Sequence, residues 1–426
     1  MTQLPAAFTE KTRLLMGEER FMRYLKSFEA DAPVSIRLNP MKMAAESQGE
    51  TRVESQVLDS EPVPWCRHAY YLKQRPNFTM DPLFHAGCYY VQEAASMFLD
   101  EVLRQHAPLT AHPSPLTSHR LPLTALDMCA APGGKSTLLR SALPEDSVLY
   151  SNEPIRKRAD ILLENVTKWG YTKHYVTNAY PRDYRKAKAH FDIILCDVPC
   201  SGEGMFRKDE ATIREWSPQQ VEKCWSLQRD IVSDAWNCLN AGGLLVYSTC
   251  TFNTQENEEN IRWMLETYDD AEALTVETKP EWHITGSLLE GFDVPVYRFI
   301  PGISRSEGLF LCVLRKKGER LAVSGKRIEV SVERLENPPS SFLLSPSSFN
   351  VDVTYQQAIA YLRGEALVLP DDAPRGVATV SFEGYPLGQV KNIGSRANNL
   401  YPKPWRIKTT HVPVDYEPII MMKHKD

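Results

Sequence analysis

Apolar positions recur along this chain with two different periods, and the period changes mark its organisation. Between residues 8 and 28, Leu14, Leu15, Phe21, Met22 and Leu25 fall at helical spacing, which predicts one amphipathic helix. VSIRLNP (34–40) reads as a short strand ended by Pro40, the polar stretch 41–60 as loop, and 61–90 as a segment rich in aromatic and turn residues. YVQEAASMFLDEVLRQ (90–105) returns to helical period, and the four prolines of 107–122 predict an exposed connector. From 123 to about 317 the short apolar runs LTALDM, SVLYSNE, HYVTN, FDIILCDVP, GGLLVYSTC and GLFLCVLRK alternate with helical stretches. That alternation predicts βαβ units, hence an α/β doubly wound, mostly parallel sheet covered on both faces. Pro/Ser-rich residues at 338–348 predict a passage into a last, small unit. The expected division is 1–89 (N-terminal α+β region), 90–318 (doubly wound domain), 319–345 (linker) and 346–426 (β-rich domain).

Composition narrows the setting without adding a fold. The 426 residues are 42% hydrophobic and 24% charged, as in an ordinary soluble globular protein. No run approaches the roughly 18 apolar residues of a membrane span, and the first residues have no signal-peptide core, so no membrane partner and a cytoplasmic location are expected. Nine cysteines in a long chain of this kind are expected as free thiols. None is spaced as CxxC, and no Cys/His cluster has zinc-finger spacing, so no metal is expected. A net charge of −5 provides no global attraction to nucleic acid, so any such contact depends on a local basic patch.

The first candidate site is LDMCAAPGGKSTLL (126–139), which reads strand, glycine turn, helix. Gly133 and Gly134 let a ligand approach the backbone, and the helix start offers free N–H donors. A phosphate-binding P-loop would need glycine at 129, where Cys129 stands, and the dinucleotide fingerprint GxGxxG is absent. Glu153 lies twenty residues after Gly133, at the end of the next strand, where an acid accepts hydrogen bonds from ribose hydroxyls. Asn178 ends the third strand, near an expected adenine. Together these features suit a nucleoside without phosphates.

The second candidate site lies at two later strand ends. FDIILCDVPCSGEG places Asp197 and Cys200 beyond a strand's carboxyl end, where doubly wound sheets bind ligands, and GGLLVYSTCTF places Cys250 likewise. Cys129, Cys196, Cys224, Cys238 and Cys312 read as small core residues, whereas Cys200 and Cys250 read as reactive. Asn253 and Glu256 predict a capping box, so a helix starting just after Cys250 would favour its thiolate, against the acids Glu256, Glu258 and Glu259.

DMCAAPGGKS, CDVPCSGEGMFRKD and YSTCTFNTQENE, with YYVQEAASM and RSEGLFLCVLRK, closely resemble the motifs of the Nop/Sun group of RNA cytosine-5 methyltransferases, and most closely its bacterial RsmF-like ribosomal members. The resemblance spans about 90–317 and implies a Rossmann-like class I methyltransferase sheet with an antiparallel last strand. It implies S-adenosylmethionine as cofactor, held by Cys129, Ala130, Ala131, Pro132, Gly133, Gly134, Lys135, Glu153 and Asp197. Lys135 is implied to organise the site beside Asp197, Cys250 to be the nucleophile, and Cys200 to assist release of the RNA. The need for a thiolate is chemical: cytosine C5 is too poor a nucleophile until a thiolate adds to C6 and makes the ring an enamine. One departure stands out: TNAYP (177–181) lacks the acid that relatives often carry there, so Asn178 or Tyr180 takes its place.

YLRGEAL (361–367) and YPLGQVKNIGSRANNLYPKPWR (385–406) resemble a PUA-like RNA-binding domain. Lys391, Arg396, Lys403, Arg406, Lys408, Lys423 and Lys425, interleaved with Tyr401 and Trp405, suit phosphate contact and base stacking. Arg37 and Asn39 resemble a family strand lying close to RNA. The implied partner is RNA, in small-subunit ribosomal RNA or a ribosomal particle, acted on by a monomer. Two other readings are an inactive RNA-binding assembly factor and a methyltransferase with another substrate, such as transfer RNA, a protein or a small molecule.

Overall fold

The computed structural model describes residues 4–43, 54–107, 122–318, 335, 349–409 and 411–423. The expected connector 107–122 and linker 319–345 lie outside the described residues except for Ala107, Pro122 and Leu335.

The six apolar runs of 123–317 form one sheet, with two further short strands. In chain order these are β1 (Thr124–Asp127), β2 (Val148–Asn152), β3 (His174–Thr177), β4 (Phe191–Asp197), β5 (Leu239–Thr249), β6 (Ala271–Ala273), β7 (Tyr297–Phe299) and β8 (Leu309–Lys316). Their spatial order is β6-β8-β5-β4-β1-β2-β3, with β7 also paired to β8. β1 to β5 run parallel, and β8 is antiparallel to β5. Successive residues supply opposite faces. Ile193, Leu195, Leu244, Val246, Leu311 and Val313 join one apolar core. Ile194, Cys196, Leu245, Tyr247, Cys312 and Leu314 join the other. A strand buried on both faces reads as a continuous apolar run, which is why FDIILCD was legible. The chain leaves β1 toward β2 and β3, then returns to β4 on β1's other side, so the switch point lies at the β1/β4 carboxyl ends.

The flanking regions correct several expectations. The single helix over 8–28 is two, Ala6–Met16 and Glu18–Lys26, broken at Gly17. The helix over 90–105 begins only at Leu99, because Tyr89–Val91 is claimed as a strand by pairing with Ile36–Leu38. Residues 61–90 contribute strands Ser60–Pro62 and Ala69–Leu72 to the same antiparallel sheet.

The two ends of the chain share one core. Ile36, Leu38, Leu83 and Tyr89 are buried in the same cluster as Ile359, Leu362, Val380, Leu387, Val390 and Ile420. Strand Ile420–Lys423 pairs with Glu54–Val57, and Tyr416 Oη donates to Asp81 Oδ1 at 3.1 Å. Deleting 349–426 is therefore expected to abolish a single cooperative melt in a thermal circular-dichroism scan. Exposing five or six such side chains costs on the order of 10 kcal/mol, as much as a whole domain's stability. An unchanged melt would contradict the shared core.

This composite unit grips the doubly wound domain. Arg37 donates to Gln92 Oε1 (2.9 Å) and Thr137 Oγ1 (2.7 Å), and its guanidinium lies 4.6 Å from the Trp169 ring centre. Asn39 Nδ2 donates to the carbonyls of Gly87 (2.9 Å) and Trp169 (2.8 Å). Both side chains are buried, so they hold domains together. Tyr401 is likewise buried beside Tyr361 and Trp405, which removes it as a stacking platform. Lys391, Arg396, Lys403 and Lys408 remain exposed.

Candidate active site

The glycine turn sits where the switch point requires. After β1, the Met128 amide donates to the Leu195 carbonyl (2.9 Å) and the Ala130 amide to the Asn152 carbonyl (2.8 Å), stitching the turn between β4 and β2. Cys129 lies between them, half-buried, and burial pushes its thiol up. Ala131–Pro132 is a cis peptide. The Ala131 carbonyl accepts from Arg158 (3.1 Å), and the Pro132 carbonyl accepts from Asn165 (2.8 Å) and Tyr90 (3.2 Å). Gly133, at φ +116°, takes the left-handed conformation that turns the chain into helix Gly134–Ala142.

Glu153 follows β2, buried, with Oε1 accepting the Ile155 amide (3.0 Å) and Oε2 3.3 Å from the Arg158 guanidinium. Asn178, after β3, donates its side-chain amide to the Glu153 carbonyl at 2.7 Å. Tyr180 is 57% exposed and its backbone starts the next helix, so of the two candidates Asn178 is the one held beside Glu153.

At the end of β4, Asp197 Oδ2 accepts from Lys135 Nζ at 2.8 Å and Oδ1 accepts from Ser248 Oγ at 2.6 Å. Burial pulls the Lys135 ammonium down, but the charge and hydrogen bond of Asp197, then Cys250 and Asp127, outweigh it and hold it above the ordinary lysine range. Burial lifts the neighbouring Asp127 carboxyl to about 7, against the hydrogen bond from Ser136.

The two strand-end cysteines meet. Asp197 pairs in register with Ser248, so the loops leaving β4 and β5 start side by side, and Cys200 Sγ lies 3.2 Å from Cys250 Sγ. The Cys250 amide also donates to Cys200 Sγ at 3.4 Å. The hydrogen bond with Cys250, burial, and the charges of Cys250 and Glu256 together push the Cys200 thiol well up. The Gly204 amide donates to the Cys250 carbonyl at 2.7 Å, and a Cβ on Gly204 would stand 2.7 Å from that carbonyl oxygen and from the Gly308 Cα. Only glycine permits this approach. Both thiols are partly exposed, while Cys196, Cys224, Cys238 and Cys312 are buried.

The helix expected directly after Cys250 starts later, at Glu258. Asn253 Oδ1 does accept the Glu256 amide (2.9 Å), but the Glu256 carboxylate turns to Ser201 N (3.0 Å) and Gln228 Nε2 (2.7 Å), and the Asn253 backbone amide donates to Glu203 instead. A helix dipole eight residues away contributes little, since the effect fades within the first turn. The three acids also separate: Glu258 is buried against Arg298 and Glu259 pairs with Arg262, leaving Glu256 facing Cys200. Ser248, Glu203 and Gln228 escaped the sequence reading, because single polar residues within apolar or loop segments carry no periodic signal.

No helix among the described residues is long and apolar enough to cross a membrane. Among the same residues, no group of three or more His, Cys, Asp or Glu is placed to hold a metal.

Comparison with known proteins adds the family. Residues 114–315 match the model of 16S rRNA methyltransferase RsmB/F, 4–94 that of the N-terminal domain of 16S rRNA methyltransferase RsmF, and 348–407 that of the methyltransferase RsmF PUA domain. Ribosomal RNA small subunit methyltransferase F of Pectobacterium atrosepticum is 31% identical over 324 residues, covering 74% of this chain and 63% of that protein. The protein of that name from Aliivibrio fischeri is 32% identical over 324 residues, with 74% and 64% covered. The chain thus spans under two thirds of these relatives' length. A methyltransferase homolog protein from Pyrococcus horikoshii is 25% identical with a TM-score of 0.55, covering 74% of this chain and all (100%) of that one. NSun6 from Pyrococcus horikoshii, solved with SFG, has a TM-score of 0.57 at 19% identity over 74% of this chain and 99% of its own, a likeness of fold. The three domain matches follow one another in a single order and the curated relatives agree with them: residues 114–315 are a methyltransferase domain of the RsmB/F type, between matches to the N-terminal and PUA domains of RsmF.

Proposed function

We propose that this protein methylates carbon 5 of a cytosine in small-subunit ribosomal RNA, using S-adenosylmethionine and a covalent bond from Cys250 to cytosine C6. The observation that carries the reading is the pair of thiols 3.2 Å apart, at adjacent strand ends, beside the Lys135–Asp197 pair. The names of the relatives support ribosomal RNA as the substrate.

The donor set suits the cofactor. A buried carboxylate, Glu153, stands at the ribose position, already oriented by Ile155 and Arg158. Asn178 spends its amide on the Glu153 carbonyl, which leaves its side-chain oxygen for the adenine amine. Residues Cys129 to Lys135 form the turn and helix start that face the rest of the ligand. When bound, S-adenosylmethionine supplies an electrophilic methyl group to the activated C5.

The protein's own groups do the activation. The Cys250 thiolate adds to C6, and the displaced electron pair makes C5 nucleophilic. Asp197 accepts hydrogen bonds from the cytosine amine edge, its orientation set by Lys135 and Ser248. Once C5 is substituted, its proton is lost to a base, the C5–C6 double bond re-forms, and the sulfur of Cys250 departs with the bonding pair. The surroundings support this division of labour. The hydrogen bond with Cys250, burial and the facing Glu256 favour the neutral thiol at Cys200.

Incubating the protein with 16S ribosomal RNA, or with the small-subunit particle, and methyl-labelled cofactor is expected to yield 5-methylcytidine on nucleoside mass spectrometry. Label recovered only in another nucleoside would overturn the reading.

A further inference from the structure

Two buried carboxylates that the proposed chemistry does not consume hold the thiol-bearing loops together. Glu203, in the loop after Cys200, is 2% exposed. Its Oε2 accepts the amides of Phe252 (2.8 Å) and Asn253 (2.9 Å), and its Oε1 accepts Asn253 Nδ2 (3.1 Å) and Trp216 Nε1 (3.0 Å). Three of these four donors belong to the segment just past Cys250. Glu256 makes the reciprocal connection. It belongs to the Cys250 loop, yet it accepts the Ser201 amide (3.0 Å), next to Cys200, along with Gln228 Nε2 (2.7 Å). The side-chain amide of Asn253 reaches both acids, at 3.1 Å from Glu203 and 2.8 Å from Glu256.

Neither acid has a cation within ion-pair distance among the described residues. Each carboxylate is held by N–H donors, three from the opposite loop for Glu203 and one, the Ser201 amide, for Glu256, and such charge-assisted bonds are stronger and more directional than neutral ones. An acceptor-only group is required here. A glutamine would turn its NH2 toward donors at one of the two oxygens. We infer that Glu203 and Glu256 are positioning residues, a reciprocal carboxylate clamp that sets the spacing of Cys200 and Cys250. The importance of that spacing rests on the reading of these cysteines as the working pair, but the spacing itself can be tested without it.

The test uses the full chain in a glutathione redox buffer, with no RNA and no cofactor. Closing the Cys200–Cys250 disulfide passes two electrons and two protons to oxidised glutathione, which leaves as two reduced molecules. The equilibrium constant reports the effective concentration of one thiol at the other, a measure of positioning that overall stability does not move. Peptide mass mapping of the linked pair at several glutathione ratios yields that constant. For Glu203→Gln it is expected to fall about tenfold or more from the wild-type value, with cofactor affinity unchanged. Glu256→Gln, which breaks the clamp from the other side, is expected to lower it by a similar factor and keeps the test available if Glu203→Gln does not fold. A constant within twofold of wild type in a folded variant would overturn the clamp. Because the measurement needs no methyl transfer, loss of the proposed activity and loss of the clamp are separate results.

Discussion

Replacing Cys250 by alanine is expected to lower methyl transfer to RNA by at least about a thousandfold, while cofactor affinity stays within about twofold. Without a nucleophile at C6 the C5 carbon never becomes electron-rich. Cys200 is 3.2 Å away, but it faces Glu256 and its thiol is pushed well up, so it offers little thiolate. The cofactor contacts proposed here, from Cys129 to Gly134 and at Glu153, lie on other strand ends. Single-turnover transfer of a labelled methyl group, with calorimetric titration of S-adenosylmethionine, checks both halves. Near-normal transfer by Cys250→Ala would refute its role as nucleophile. Loss of cofactor binding would make it a structural residue.

The second large effect is expected from Cys200→Ala, and it has the opposite character. With Cys250 intact the covalent bond to RNA still forms, but the step that ends the cycle loses the neighbouring sulfur. Cys250 donates its amide to Cys200 Sγ at 3.4 Å and its own sulfur lies 3.2 Å from it, so Cys200 is the thiol in contact with the departing sulfur. A species that is transient in the wild type is expected to become the major form after one turnover, running with the RNA on a denaturing gel. The double variant Cys200→Ala/Cys250→Ala is expected to show none. Free, unlinked Cys200→Ala protein after incubation with RNA and cofactor would refute this role.

How much of this was legible in the sequence depended on range. The strand FDIILCD could be read because burial on both faces makes a continuous apolar run, and the positions of Cys200 and Cys250 at strand ends followed. Their mutual approach did not follow. It depends on β4 and β5 being neighbours with Asp197 beside Ser248, and then on the Gly204–Cys250 contact between two loops. Asn253 and Glu256 misled because the same spacing serves a capping box and a turn, and the use of Glu256 by Ser201 and Gln228 decides which. Tyr401 looked like a base-stacking residue because aromaticity is a local property, whereas burial against Tyr361 and Trp405 is not. The core shared by Ile36, Leu83, Val380 and Ile420 joins residues more than 300 positions apart, a pairing that no window along the chain reveals.

The proposed chemistry requires one bond above all, between the Cys250 sulfur and a cytosine ring carbon. Digesting the Cys200→Ala protein after reaction with substrate RNA, and sequencing the crosslinked peptide by mass spectrometry, locates that bond. The predicted result is a peptide containing Cys250 that carries a methylated cytosine. A crosslink at any other residue, or at a base other than cytosine, would contradict it.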